Sequence, residues 1–472
     1  MEKPILILQM HRLGDMVLTF PLLARLGQIY PQNPLWVVGE KPFFSELIAF
    51  SPPAVYSEYS DSSRLQHHEF LSVINLSFRP EAMRLAGRAR TENLVGPYIE
   101  PGSGKQFIRG NWQVYRASLV DNNRYNLFHW ADLNAQDSLS GKEIRKTIWP
   151  HARKEGRKEG AASAHIGLFL GASEKDKRPD AAFWINLAKA LLRDGHKPVL
   201  LGGKNEEELG KEVAAGLDAA SHNLVGRFSL RELALFLENL DLFVTPDTGP
   251  MHLAAWTGTP ILNLSIGPVN AWETGPFAPE NYVLRSSLPC AACWSCVQAA
   301  PLCKENLNPL RCAALIRSIL SQDREALSRI ALPEQELFRT ARDGQNLFAL
   351  ERLSGETAPR QVTALFWQAY FGHTLGDFPL AMVQKAWQNF AEASPGNAPA
   401  FAKAIVKLSR DLNGFLKNPN ASPLTSTSFW TTFAPPLRPL TSYLQLTLQN
   451  GSFSTESFAA CLGFVERLVA LF

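Results

Sequence analysis

Over the first hundred residues, short wholly apolar runs alternate with stretches of helical period. "ILIL" precedes "MVLTFPLLARLGQIY", "LWVVG" precedes "FFSELIAF", "FLSVINLS" precedes "PEAMRLAGRAR", and "ENLVGPY" follows. This rhythm is the pattern of a parallel sheet with crossover helices. A second series runs from "HIGLFLG" through "AAFWINLAKALLRDG", "KPVLLGG", "NEEELGKEVAAGL", "NLVG", "SLRELALFLENL", "DLFVTPD" and "GPMHLAAWTG" to "PILNLSIG". One of its helices opens with Ser229 and Glu232 at capping-box spacing. Between the two series, "RKEGRKEGAASA" (153–164) has charge and small residues but no apolar period, and is expected to be a linker. From 328 the pattern turns helical: "EQELFRTARDGQNLFALERL", "RQVTALFWQAYFGHT", "PLAMVQKAWQNFAEA", "PAFAKAIVKLSRDLNGFL" and "SFAACLGFVERLVALF". The pattern therefore predicts an α/β chain with a Rossmann-like half over 1–152, a second over 165–327 and an all-helical extension over 328–472 whose role is not readable.

Composition narrows the function classes. Of 472 residues 46% are hydrophobic and 19% charged, an ordinary globular balance, and a net charge of +3 without a clustered patch gives no reason to invoke nucleic acid. The N-terminus has no secretory apolar core, and no run of about 20 apolar residues occurs, so a cytoplasmic protein is expected. Arg84, Arg88 and Arg90, spaced along one helical pattern, suit an anionic lipid or acceptor phosphate or simply a solvated helix face.

Ligands of open α/β sheets sit beyond the carboxyl ends of the strands, so the loops after "LILQM", "GLFLG", "VLLGG" and "LFVTP" carry the candidate chemistry. The first turn has a single glycine, Gly14, where a dinucleotide fingerprint needs three, and then Asp15, which fits a general base or a helix cap. "GASEKDKRPD" offers Ser173, Lys175, Lys177 and Arg178 to a diphosphate or to solvent. Gly202 and Gly203 allow close approach of a nucleotide or make a tight turn. Asp247, Thr248, Gly249 and His252 open a helix whose N–H groups suit a phosphate, although an Asp cap would look the same.

Taken together, "HRLGDMVLTFPLLARL", "INLSFRPEAMRLAG", "NLFHWADL", "GASEKDKR", "PVLLGGKNEEE", "TPDTGPMHLAAWTGTPILNLSIGP" and "WETGPFAP" resemble glycosyltransferase family 9, the bacterial heptosyltransferases, over about residues 3–320. The resemblance implies a GT-B fold, with two Rossmann-like domains facing across a cleft, the first on the acceptor side and the second holding an ADP-sugar donor. It implies heptose transfer with inversion to a lipopolysaccharide core, with Asp15 as base, Lys177 on donor phosphate and Asp247, Thr248, Gly249 and His252 as the D-T-G-x-x-H donor motif. In one respect the sequence departs: the family commonly reads K-R-W-P, whereas here Pro179 follows Arg178 directly and Trp184 lies further on.

Five of the six cysteines, Cys290, Cys293, Cys296, Cys303 and Cys312, fall within one short segment and suit a structural zinc or iron site, part of an iron-sulfur cluster through the first three, or plain thiols. The resemblance favours Cys290, Cys293, Cys303 and Cys312 as the metal set, while Cys461 lies in an apolar helical pattern and is expected in a core. No cofactor is required for the implied chemistry. The implied partners are an ADP-sugar and a lipid-linked glycan acceptor, with peripheral contact at the cytoplasmic face of the inner membrane. The alternatives are a catalytically silent nucleotide-sugar-binding or scaffold protein, and a transferase for another nucleotide sugar or acceptor.

Overall fold

The computed structural model describes residues 2–146, 163–217, 223–298, 301–355, 357–417 and 423–472. The expected linker lies, but for its last two residues, outside the described residues.

The first half is a six-stranded sheet of β1 (Ile5–Gln9), β2 (Leu35–Gly39), β3 (Val55–Ser57), β4 (Ser72–Asn75), β5 (Leu94–Ile99) and β6 (Gln106–Arg109), in the spatial order 3-2-1-4-5-6. All neighbours are parallel except β5 and β6. Every residue of β1 is buried, as expected for a central strand covered on both faces. The helices used below are α1 (Leu13–Val17), α2 (Phe20–Ile29), α3 (Asn111–Ser118) and α4 (Trp130–Ala135).

The second sheet has seven strands: β7 (His165–Phe169), β8 (Lys197–Leu201), β9 (Leu242–Pro246), β10 (Ile261–Ser265), β11 (Tyr282–Ser286), β12 (Gln335–Arg342) and β13 (Phe348–Ser354), ordered 8-7-9-10-11-12-13. The first five are parallel and the last two antiparallel additions. Its helices include α5 (Ala181–Arg193), α6 (Gly249–Thr257), the one-turn α7 (Ala271–Thr274) and α8 (Pro309–Leu320). The Ser229 capping box forms as the sequence predicts: the Glu232 N–H donates to Ser229 Oγ at 3.3 Å and the Ser229 N–H to Glu232 Oε2 at 2.8 Å.

One expectation is overturned. Residues 335–354, read as helical, are the β12–β13 hairpin, so the second sheet continues past 327 and the helices begin only at Pro359. The turn between these strands explains the outcome. Asp343 Oδ1 accepts the N–H of Gln345 at 2.8 Å and of Leu347 at 2.9 Å, and Asn346 takes a left-handed φ of 59°. An Asp-Gly turn flanked by apolar runs is a hairpin signal that outweighs the charge spacing mimicking a helix.

Beyond it come α9 (Pro359–Leu375), α10 (Leu380–Ala393), α11 (Ala398–Lys417), α12 (Arg438–Asn450) and α13 (Thr455–Val469). They fold back onto the first half and share one continuous apolar core with it. Tyr115 of α3 meets Phe371 of α9 at a ring separation of 4.5 Å, Trp112 Nε1 donates to Leu375 O at 3.0 Å, and Asn450 closes both backbone groups of Ile108 at 2.6 and 2.8 Å. Cys461 is buried in this core, as expected. Arg84 and Arg88 lie on the exposed side of the helix Pro80–Arg88, but Arg90 sits beyond its end on a short strand, so the three do not share a helix face.

Candidate functional site

In each sheet the connections reverse direction beside the first strand, between β1 and β4 and between β7 and β9, and the crevice at such a switch point is where open α/β sheets bind ligands. These crevices are where the loops singled out in the sequence lie. After β1 the chain turns through His11 and Arg12 into α1, which carries Gly14 and Asp15 in its first turn. Asp15 is half-buried, and its carboxylate accepts the Arg12 N–H at 3.2 Å, so it does cap the helix while the other carboxylate oxygen is left for further contacts.

After β9 the loop Asp247–Thr248 leads into α6, where Pro250 occupies an N-terminal position that needs no N–H. The two helix starts meet across the halves: a Cβ on Gly14 would stand 2.8 Å from His252 Cδ2, and one on Gly249 would stand 2.7 Å from Leu13 Cδ2. No side chain fits at either position, and the absence of one brings Asp15 and Asp247 into the same electrostatic neighbourhood. Asp247 is pushed up to about 6, chiefly by burial; the Thr274 hydroxyl donates to its Oδ2 and Lys177 counters the rise, while Asp15 adds to it.

The loop after β7 delivers Lys177 from a short 3-10 turn, Lys175–Lys177. Lys177 Nζ pairs with Glu174 at 3.3 Å, and Glu174 also faces Arg12 of the first half at 3.9 Å. Lys175 and Ser173 are exposed and Arg178 turns away, to Glu206 at 3.4 Å. Gly202 and Gly203 wrap the same Glu206, whose Oε2 accepts the Gly203 N–H at 3.0 Å. Trp184 does not stand in for the missing loop tryptophan, because it is fully buried in the second core.

The fold adds groups that sequence reasoning missed. His11 Nε2 accepts the Phe78 N–H at 3.2 Å, so its proton is on Nδ1, and burial lowers its pKa although Asp15 pulls it back up. Arg116 of α3 is 7% exposed, donates from Nη2 to Leu76 O at 3.1 Å and stacks 5.3 Å from Trp130, while its buried Nη1 has no partner among the described residues. Its pKa is lowered by burial and held up by Asp15, which places a cation in the field of that carboxylate.

Below the cleft, a buried hydrogen-bond network joins the halves. Asn123 and Asn126 donate to Glu273 of α7 at 2.7 and 2.9 Å, Asn270 donates to the carbonyls of Asn123 and Asn126 at 2.8 and 2.9 Å, and His129 Nε2 reaches Gly275 O at 3.0 Å. Asn126, His129, Glu273 and Gly275 fall in two of the stretches that carry the resemblance, but their hydrogen-bonding roles exist only once the halves are docked.

The expected metal set does not assemble. Cys312 lies on the inward face of α8, 1% exposed, its thiol pushed up to about 12 by burial alone. The thiols that bear on Cys293 are those of Cys296, Cys290 and Cys303, and among the described residues no group of three or more His, Cys, Asp or Glu is placed to hold a metal ion. Cys303 instead accepts the Gly267 N–H at 3.3 Å, under the loop that abuts Asp176 and Lys177.

Two parallel Rossmann-like sheets with their switch points opposed define the GT-B architecture. Solved structures share it: the Escherichia coli ADP-heptose LPS heptosyltransferase II superposes with a TM-score of 0.51 at 19% identity, covering 68% of this chain and 99% of that one. A family 9 glycosyl transferase from Veillonella parvula gives 0.51 at 18%, covering 68% and 98%. Residues 111–302 match the family model of glycosyltransferase family 9 (heptosyltransferase). Lipopolysaccharide heptosyltransferase 2 of Salmonella typhimurium is 31% identical over 125 residues, 25% of this chain and 36% of that protein. Lipopolysaccharide heptosyltransferase 3 of Escherichia coli is 23% identical over 275 residues, 53% and 79% of the two chains. The first of these alignments thus spans little over a third of the relative's length.

Proposed function

We propose that the chain is an inverting glycosyltransferase that moves a heptose from ADP-heptose to a lipopolysaccharide core or related envelope glycan, with Asp15 as general base. The observation that carries this reading is the meeting of α1 and α6 at Gly14 and His252, which sets a carboxylate from one half against the phosphate-suited helix start of the other. Asp15 takes the proton of an acceptor hydroxyl as its oxygen attacks the anomeric carbon from the face opposite the diphosphate. The sugar–phosphate bond breaks and ADP leaves with the electron pair, its charge offset by Lys177 and by the N–H groups that open α6. Arg116 and His11 line the acceptor side beside the base. No step is routed through the cysteine segment. Among the described residues no helix is long and apolar enough to cross a membrane, and a lipid-linked acceptor would be met at the cytoplasmic face of the inner membrane from the surface.

The reading is tested by incubating the purified chain with a panel of nucleotide sugars and a heptose-acceptor core glycan while following nucleotide release. ADP release from ADP-heptose alone is expected, and release from a different nucleotide sugar reassigns the donor. Asp15→Asn should retain donor binding and lose turnover by at least about a hundredfold. Full turnover in that variant removes Asp15 as base, and donor binding without turnover in the wild type supports a silent binding protein instead.

A further inference from the structure

Away from the cleft, β11, β12 and β13 bring charge to one face of the second sheet. Arg285 pairs in register with Glu336, and Arg352 with Phe338, two residues further along β12. Arg285 Nε lies 3.3 Å from Glu336 Oε2, and Arg352 Nη1 lies 2.6 Å from Oε1. Aromatic rings back both guanidiniums: Arg285 stands 4.9 Å from the Trp272 ring and Arg352 stands 4.7 Å from that of Phe338. One carboxylate, 1% exposed, therefore serves two arginines, one of them 7% exposed. Arg352 Nη2 is buried with no hydrogen-bond partner among the described residues.

Two more arginines close on this spot from other parts of the fold. Arg360, at the start of α9, donates to Ala291 O at 2.7 Å and Pro289 O at 3.3 Å. It is near enough to help depress Arg285, which burial and its neighbours bring down to about 10 despite Glu336. Arg124 lies in the turn Asn123–Tyr125 of the first half, which packs against α9, the helix that carries Arg360 near its start. The Tyr125 hydroxyl lies in the joint field of Arg360, Arg124 and Arg438. Among the described residues, Glu336 is the only carboxylate ion-paired with Arg124, Arg285, Arg352 or Arg360. Crowded, partly desolvated cations with an unused N–H are costly unless an anion shares the site.

We propose that the junction of Arg124, Arg285, Arg352 and Arg360 is a binding site for a phosphate group, taken either as the free ion or as a sugar phosphomonoester. Guanidinium forks match the tetrahedral oxygens of phosphate, and several together hold a dianion where lysine would give only a point charge. The contributing segments belong to the second sheet, the helical extension and the first half, so a bound phosphate ties all three together. The site is separate from Lys177 and α6 and does not depend on the transfer reading.

Calorimetric titration of the full chain in phosphate-free buffer tests it, with inorganic phosphate in one arm and glucose 6-phosphate in the other. Phosphate should bind the wild type and Lys177→Ala with affinities within about twofold, and Arg352→Gln should weaken it at least about tenfold. Arg124→Gln, a half-buried side chain on a turn, should weaken it comparably and guards against a folding defect in the strand variant. Tighter binding of glucose 6-phosphate assigns the site to an esterified group, and tighter binding of inorganic phosphate assigns it to the free ion. Absence of binding to the wild type up to about 10 mM overturns the proposal, as does binding that is lost in Lys177→Ala but kept in both arginine variants.

Discussion

Gly14 owes its identity to a residue in the other half of the molecule. A methyl group there would press on His252 Cδ2 at 2.8 Å, in a region where the backbone of Gly249 is also close, so the strain cannot be relieved by a flexible side chain swinging into solvent. Gly14→Ala should cost about 1–3 kcal/mol and pull Asp15 from its place, seen as a lower Tm and a loss of turnover. Gly27→Ala is the control. That glycine is an exposed residue of α2 whose added Cβ would meet nothing nearer than Leu35 Cδ1 at 3.9 Å, so stability should be unchanged or rise by up to about 1 kcal/mol. The buried titratable groups beneath the cleft set the pH range. Burial pushes Glu273 up to about 8 against the two amides that donate to it, so the folded state holds a proton that the unfolded chain releases near its usual 4.5. Stability from this group is full below about pH 4.5 and is lost as pH rises through about 8. His129 and His252 run the other way: lowered to about 3 and about 4 by burial, they favour the fold above pH 6.5 and stop doing so as pH falls through those values. Glu273→Gln should therefore flatten the fall of Tm between about pH 4.5 and pH 8, whereas an unchanged fall would assign it to other groups. Position after a strand end made Asp15, Lys177 and Asp247 candidates beforehand, and only the family resemblance separated base and phosphate contact from helix cap and solvated charge. Glu206, His11, Arg116 and Glu273 could not be picked out, because what makes each one matter is a neighbour 28 or more positions away that only folding supplies.

At the scale of elements, the parallel strands and their helices were legible because strands buried on both faces leave unbroken apolar runs, as in β1 and β9. The hairpin 335–354 was not, although its turn carries Asp-Gly. Glu336, Arg339, Glu351 and Arg352 imitate the charge spacing of a helix, and their true partners are cross-strand: Arg339 bonds Glu351 Oε2 at 2.6 and 3.1 Å, and Arg352 reaches Glu336. The hairpin is also what seats the first half, since the Phe348 N–H donates to Asp132 of α4 at 2.9 Å, and burial pushes that carboxyl up to about 7. Asp343→Ala removes the acceptor of two turn N–H groups and should cost about 1–2 kcal/mol. If the hairpin is the seat of the interface, proteolysis of the β12–β13 turn should quicken in that variant while the β7–β11 core stays resistant.

For the molecule as a whole, the helical extension is wired to the half of the chain most distant from it in sequence. Helix α9 contributes Phe366, Trp367, Tyr370 and Phe371, and the turn after it Phe378, to the same core as Trp112, Tyr115 and Phe128 of the first half, and Arg145 pairs with Asp377 through two contacts at 2.8 and 2.5 Å. The second half keeps a core of its own, largely closed off by α5 and α8. Removal of residues 357–472 should thus strike the halves unequally. Burying one large apolar side chain is worth about 1.5–3 kcal/mol, and the cut would expose several at once, on α2, α3 and the strands beside them, which exceeds the stability of an ordinary domain. The truncated chain should aggregate or be digested from its first half, while a fragment of 163–355 remains resistant and shows a cooperative melt. A truncated chain that stays monomeric, keeps both halves protease-resistant and melts as the full chain does would mean that the extension is an appendage, and the packing of Phe371 on Tyr115 would carry no stability.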